Sequence, residues 1–430
     1  MTMLIEEEET PAPAAVRERC AGLDVHRSTI VACATFPLAG GRLKKMWKEF
    51  ATTAPGLGLL VAWLKELGVT YVGMEATGVY WMPVYAALEV AGGFDLTVVN
   101  PHHAKALRKR KTDVKDAEWL AYLVRHDQVN KSFVPAKPFR DLRDLTRYRR
   151  SLVEAQSSER RRLIKLLEAA DIKLAGVMSD VFGVSGRAIL RALISGGHSP
   201  AEMAKLARGK LRKKRPLLIE ALSVDLDGHR RGLLAMQLAR VEAAEADIAV
   251  LDQQIATLLA PYKDYVELLT TVPGIDWLTA VIIIAEVGVD LSAFPTDRHF
   301  AAWIGVAPGN NESAGRAKPI GARKGNPYLT TALCNAATSA ARRHGSFFKA
   351  TYHRLKSRRG GGRATLAVAH KVAIAVYHIL TDGTPFRDLG EGHHDTKNVR
   401  RTAGRYVQRL QRLGFVVTLQ PIEPATAAVA

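Results

Sequence analysis

Between residues 19 and about 127 the sequence alternates short apolar runs, which suit buried strands, with stretches of helical periodicity. Strand candidates are Cys20–Phe36, Arg42–Ala51, Thr70–Glu75 and Asp95–Asn100. Helix candidates are Gly56–Leu67, Val79–Ala91 and Asp113–His126, with Pro55 before the first helix and Gly68 at its end. Gly40-Gly41 marks a hairpin between the first two strands. A hairpin followed by strand–helix alternation predicts an α/β domain, a mixed sheet with helices on its faces.

Four acids interrupt this apolar pattern. Asp24 lies inside Gly22-Leu23-Asp24-Val25-His26, and Glu75 closes Tyr71-Val72-Gly73-Met74-Glu75. Asp113 and Asp116 are three apart at the start of a predicted helix and so share one face. Burying an unpaired charge is costly. Converging carboxylates repel, and a divalent cation relieves the repulsion. Oxygen-only ligation suits Mg2+ or Mn2+ and phosphoryl-transfer chemistry. A helix cap at Thr112-Asp113 and an exposed position for Asp116 fit the second pair equally well. They leave Asp24 and Glu75 without an account. Arg108, Lys109, Arg110, Lys111 and Lys115 surround the helical pair and offer phosphate contacts. Acids on the first strand, a later strand end and the last helix resemble the ribonuclease-H-like fold.

Length and charge set the frame. A chain of 430 residues has room for two or three domains. The formal charge of +19 favours a polyanionic partner, most simply nucleic acid. No basic amphipathic anchor or lipidation motif speaks for a membrane, and the apolar run 279–285 is too short to span one. The acidic start, Glu6 to Glu9 before Pro11-Ala12-Pro13, reads as a disordered tail over 1–18 with no secretory segment. Cys20, Cys33 and Cys334 give neither a zinc spacing nor a disulfide framework, which suits a reducing cytoplasm. His393-His394-Asp395 reads as a solvated loop in a basic tail, 386–430.

Residues 138–265 read as all-helical and polar, with long helices over Phe139–Ala170 and Leu233–Leu259. The second carries Val241, Ala244, Ile248, Leu251, Ile255 and Leu258 at coiled-coil steps. Antiparallel pairing within one chain and self-association both fit. The basic run Lys210–Arg215 between them reads as a solvated loop or a phosphate contact. Residues 266–385 form a further helical unit. Val272-Pro273-Gly274-Ile275 before Trp277–Val287 is either half of a helix–hairpin–helix element or a turn into a core helix. A Gly/Pro-rich loop then runs from Gly305 to Gly325 and carries Ser313 with Arg316, Lys318, Arg323 and Lys324. Spacing alone leaves two roles for Ser313: a turn residue in a phosphate-holding loop, or a nucleophile beside charge-stabilising cations. No adjacent histidine makes a hydrolase triad.

Six stretches together resemble the DEDD transposases of the insertion-sequence one-ten and eleven-eleven groups. They are Gly-Leu-Asp-Val-His at 22–26, Met-Glu-Ala-Thr-Gly-Val-Tyr-Trp at 74–81 and Lys-Thr-Asp-Val-Lys-Asp-Ala at 111–117, then Val-Pro-Gly-Ile at 272–275, Glu-Ser-Ala-Gly-Arg at 312–316 and Arg-Lys-Gly-Asn-Pro-Tyr-Leu at 323–329. The resemblance covers residues 19 to 385. It implies an N-terminal ribonuclease-H-like (RuvC-like) domain over 19–130, a coiled-coil region and a C-terminal transposase domain. It implies Asp24, Glu75, Asp113 and Asp116 as Mg2+ ligands and Ser313 as nucleophile in a composite active site. DNA, a structured guide RNA (the bridge RNA) and a homodimer or homotetramer are the partners it implies.

Overall fold

The computed structural model describes residues 5–9, 16–38, 42–76, 78–100, 113–309, 312–313, 316–317, 324–396 and 399–420. The chain divides into two compact units, Met1–Val134 and Pro135–Ala430.

The first unit is built from β1 (Ile5–Glu9), β2 (Cys20–Val25), β3 (Thr29–Pro37), β4 (Leu43–Ala51), α1 (Ala54–Glu66), β5 (Tyr71–Glu75), α2 (Trp81–Ala91), β6 (Asp95–Val99) and α3 (Asp113–Arg125). The strands form one mixed sheet in the order β1-β4-β3-β2-β5-β6. β1 through β4 pair antiparallel, while β2, β5 and β6 run parallel. The five strands from β2 onward, with β2 central, are consistent with a ribonuclease-H-like domain.

Alternation along β2 sorts the two faces. Ala21, Leu23 and Val25 are buried on one side with Leu60, Trp63 and Leu64 of α1 and Val84 and Leu88 of α2. Each large apolar side chain buried there contributes roughly 1.5–3 kcal/mol. Gly22 and Asp24 point to the opposite face, which α3 covers. A Cβ at Gly22 would sit 2.1 Å from the Ala117 carbonyl oxygen and 2.3 Å from the Ala121 nitrogen, so only glycine admits the helix this close.

Two expectations are corrected in this unit. The run Cys20–Phe36 is two strands, because His26-Arg27-Ser28 turns the chain and the His26 N–H donates to the Thr29 carbonyl at 2.9 Å. This turn lacks the Gly, Pro or Asn that usually marks one. The segment 1–18 is not disordered throughout: Ile5–Glu9 adds an edge strand to β4. Its register sets Glu7 across from Lys45 and Glu8 across from Lys44.

The described residues of the second unit are helical apart from one short antiparallel strand pair. α4 (Lys137–Ala169) is followed by α5 (Leu174–Val177), α6 (Val184–Ser195), α7 (Pro200–Lys205), α8 (Arg215–Ala221) and α9 (Gly228–Leu259). α4 and α9 lie antiparallel: Arg149 meets Asp252 at 2.5 Å, Gln156 and Arg160 meet Glu245 at 3.0 and 2.7 Å, and Glu159 meets Arg240 at 3.5 Å. The α9 seam differs from the expected one. Leu251, Ile255 and Leu259 are buried while Leu258 is 40% exposed. A straight 3.6-residue helix drifts away from a 3.5-residue repeat, which accounts for the one-residue slip. α5 to α8 close a separate core over one end of the pair, with Ile189, Leu190 and Leu218 fully buried. The basic run expected as a loop is instead a 3-10 helix, Gly209–Lys214, running into α8 at Pro216.

The remaining helices are α10 (Lys263–Thr270), α11 (Trp277–Val287), α12 (Asp297–Ile304), α13 (Pro327–Ala340), α14 (Phe347–Arg359), α15 (Gly361–Asp382), α16 (His393–Thr396) and α17 (Val399–Arg412). α15 is the one described helix long and apolar enough to cross a bilayer. It buries Ala364, Val368, Val372 and Val376 within this unit, as a core helix does. His393-His394 is a helical turn rather than a loop: the His394 ring packs tilted against Phe347 and its Nε2 lies 2.8 Å from the Thr351 hydroxyl.

Candidate metal centre and serine loop

The acids converge because two parallel strands carry the same short pattern. Gly22 is registered with Gly73, and Leu23 with Met74, so Asp24 and Glu75 leave the sheet side by side. Both glycines admit α3. A Cβ at Gly73 would sit 2.4 Å from Val124 Cγ2. With α3 seated against Gly22 at Ala117 and Ala121, its first turn overhangs the strand ends, and that turn carries Asp113 and Asp116. The glycine before each strand acid therefore decides where the helical acids stand.

Asp116 is buried, at 6% exposed, which corrects the alternative that set it on an open helix face. Asp113 is open, its side chain 59% exposed, and the Asp24 side chain is 14% exposed. His26, which the residue-level reading of the site passed over, completes the cluster. Its Nε2 lies 3.3 Å from Asp24 Oδ2 and 3.5 Å from Asp113 Oδ2. One ligand atom each from Asp24, His26 and Asp113 falls within 4.8 Å of the others. The signal for His26 was its place two residues after Asp24.

Asp24 Oδ2 is buried and accepts no hydrogen bond from the described residues. Burial pushes the Asp24 carboxyl above its ordinary 3.8; Asp116, Asp113 and Glu75 push the same way, and His26 opposes them. Such a group of hard oxygens suits a divalent cation. Lys115 is exposed on α3, whereas Arg108, Lys109, Arg110 and Lys111 lie outside the described residues.

In the second unit the serine loop leaves α12 through Gly305, which takes a left-handed conformation at φ +93. It returns at Gly325, where a Cβ would sit 2.3 Å from Ile304 and 2.4 Å from the Gly305 nitrogen. The two ends thus meet at a neck. β7 (Glu312–Ser313) and β8 (Arg316–Ala317) pair antiparallel with Ser313 opposite Arg316. Ser313 therefore stands at the end of a strand. Lys324 is exposed at the neck, and Lys318 and Arg323 lie outside the described residues.

Two family models match separate stretches of the chain, the first running past the end of the acid-bearing unit into α4. A DEDD transposase family model of the IS110 type matches residues 21–171. A second, the transposase IS116/IS110/IS902 family, matches residues 266–353. The transposase for insertion sequence element IS1111A of Coxiella burnetii is 24% identical over 340 residues, 76% of this chain and 82% of the relative. A probable family 20 transposase of Pseudomonas aeruginosa is 25% identical over 344 residues, 75% of this chain and 87% of the relative. The four acids and the serine loop each fall inside a matched segment, and the chain belongs to the IS110-type DEDD transposases, enzymes that process DNA.

Proposed function

We propose that this transposase cuts and rejoins DNA through a covalent link to Ser313, with a divalent cation held by Asp24, Glu75, Asp113 and Asp116. The supporting observation is the Asp24–His26–Asp113 cluster with its buried, hydrogen-bond-free Asp24 oxygen. The four carboxylates are hard oxygen donors, which fit Mg2+ or Mn2+. Bound there, the cation supplies electrostatic stabilisation to a phosphate under attack.

The chain's own residues do the rest. The Ser313 oxygen attacks phosphorus, forming an Oγ–P bond as the P–O bond to the leaving strand breaks. The leaving oxygen takes up a proton for the one the serine gives up, so the exchange is balanced. One phosphodiester replaces another, and rejoining needs no nucleotide cofactor. Arg316, Lys318, Arg323 and Lys324 hold the phosphate and offset its developing charge. Arg108, Lys109, Arg110, Lys111 and Lys115 bind the DNA backbone beside the acids.

In this reading residues 19–130 form the acid-bearing catalytic domain, 138–265 the self-association arm of a homodimer or homotetramer, and 266–385 the serine-bearing domain. A structured guide RNA pairs with donor and target DNA, so base pairing rather than side chains reads sequence. The test is trapping. A nicked suicide substrate bearing the element's end leaves DNA attached to the protein, and Ser313→Ala abolishes attachment. Free ends with no adduct would instead favour a metal-activated water.

A further inference from the structure

The exit of the serine loop is held by a buried charge. Glu286, near the end of α11, is 1% exposed. A carboxylate so buried is costly unless it is paired and hydrogen-bonded, and Glu286 is both. Arg147 of α4 meets it with two parallel bonds, Nε to Oε1 and Nη2 to Oε2, each 2.9 Å. Arg143 Nε lies 3.1 Å from Oε2. The third partner is Asn326, whose Nδ2 donates to Oε2 at 2.6 Å.

Asn326 directly follows Gly325 at the loop neck. Its Oδ1 accepts from the backbone N–H groups of Tyr328 and Leu329, at 3.0 and 3.1 Å, and so caps α13. The amide orientation is fixed from both sides: the carboxylate requires a donor and the helix end requires an acceptor. Two arginines would satisfy Glu286 without it. The Asn326 link adds a connection from α4, through a buried carboxylate, to the backbone where the loop returns.

We propose that Glu286 is a positioning residue that sets the exit of the Ser313 loop through Asn326 and ties it to α4; this rests on the serine reading above. Asn326→Asp breaks the tether while keeping the helix cap. Aspartate caps a helix as well as asparagine does, but as a carboxylate it cannot donate to Glu286 and repels it. The double variant Glu286→Gln/Asn326→Asp restores a donor–acceptor pair with the roles exchanged and removes the repulsion between two carboxylates.

The measurement uses the full chain, its element-end suicide DNA and single-turnover conditions. Asn326→Asp is expected to slow adduct formation at least about tenfold while DNA affinity stays within about twofold. The double variant is expected to recover more than half of the loss on a logarithmic scale. Amide hydrogen exchange in residues 305–326 is expected to rise in the single variant and fall back in the double, with α11 unchanged. Wild-type rate and exchange in Asn326→Asp would overturn the proposal. So would a double variant neither faster nor better protected than the single. If Ser313→Ala still forms the adduct, the serine reading falls instead, and hydrogen exchange alone then judges the tether.

Discussion

Asp24 is the residue on which the metal-free fold and the chemistry make opposite demands. Its carboxyl is pushed above 3.8, first by burial and then by its acidic neighbours. The folded state therefore binds that proton more tightly than the unfolded chain. The stability Asp24 contributes is present below the unfolded value and is lost as pH rises through the raised one. Asp24→Asn is accordingly expected to raise the thermal midpoint of metal-free protein at neutral pH. It is expected to lower transposition by on the order of 100-fold or more. Mg2+ should raise the wild-type midpoint, by about 2.7 kcal/mol of stability at a hundredfold excess over its Kd. It should leave Asp24→Asn unmoved. Thermal scans with and without Mg2+ check both arms, and an equal Mg2+ shift in the variant would remove Asp24 from the ligand set.

At the scale of elements, the contact between α3 and the glycines of β2 and β5 builds the site. Gly22→Ala forces a methyl against backbone atoms at 2.1 and 2.3 Å, which cannot yield as a side-chain tip can. It is expected to cost about 2–3 kcal/mol in denaturant unfolding and to abolish the Mg2+ shift. Gly58→Ala is the control. Gly58 is exposed in α1, a Cβ there would meet nothing within 4 Å, and alanine should stabilise by about 0.5–1 kcal/mol. The four acids were legible because a carboxylate in an apolar strand contradicts its surroundings. The α1, α2, β5 and α3 patterns were legible from periodicity. The His26–Ser28 turn was not, because Ser28 is its one turn-favouring residue and no Gly, Pro or Asn accompanies it. β1 was not, because an acidic run carries no strand periodicity and its partner β4 is remote in sequence. The Asn326–Glu286 link was likewise hidden, since hydrogen bonds across 40 residues leave no periodicity to read.

Across the whole molecule the excess of basic residues, 61 against 42 acidic, acts at long range. DNA affinity is expected to fall by about a thousandfold or more between roughly 50 and 200 mM salt, and titration by fluorescence anisotropy measures it. A flat salt response would assign recognition to uncharged contacts. The proposed joining of acids and serine in one reaction has a more direct test. The protein is reacted with nicked element-end DNA and Mg2+, digested, and the DNA-linked peptide identified by mass spectrometry. The account predicts a nucleotide on Ser313, formed by wild type and lost with Asp24→Asn as well as with Ser313→Ala. A nucleotide on another side chain, or cleavage by wild type that leaves only free DNA ends, would contradict it.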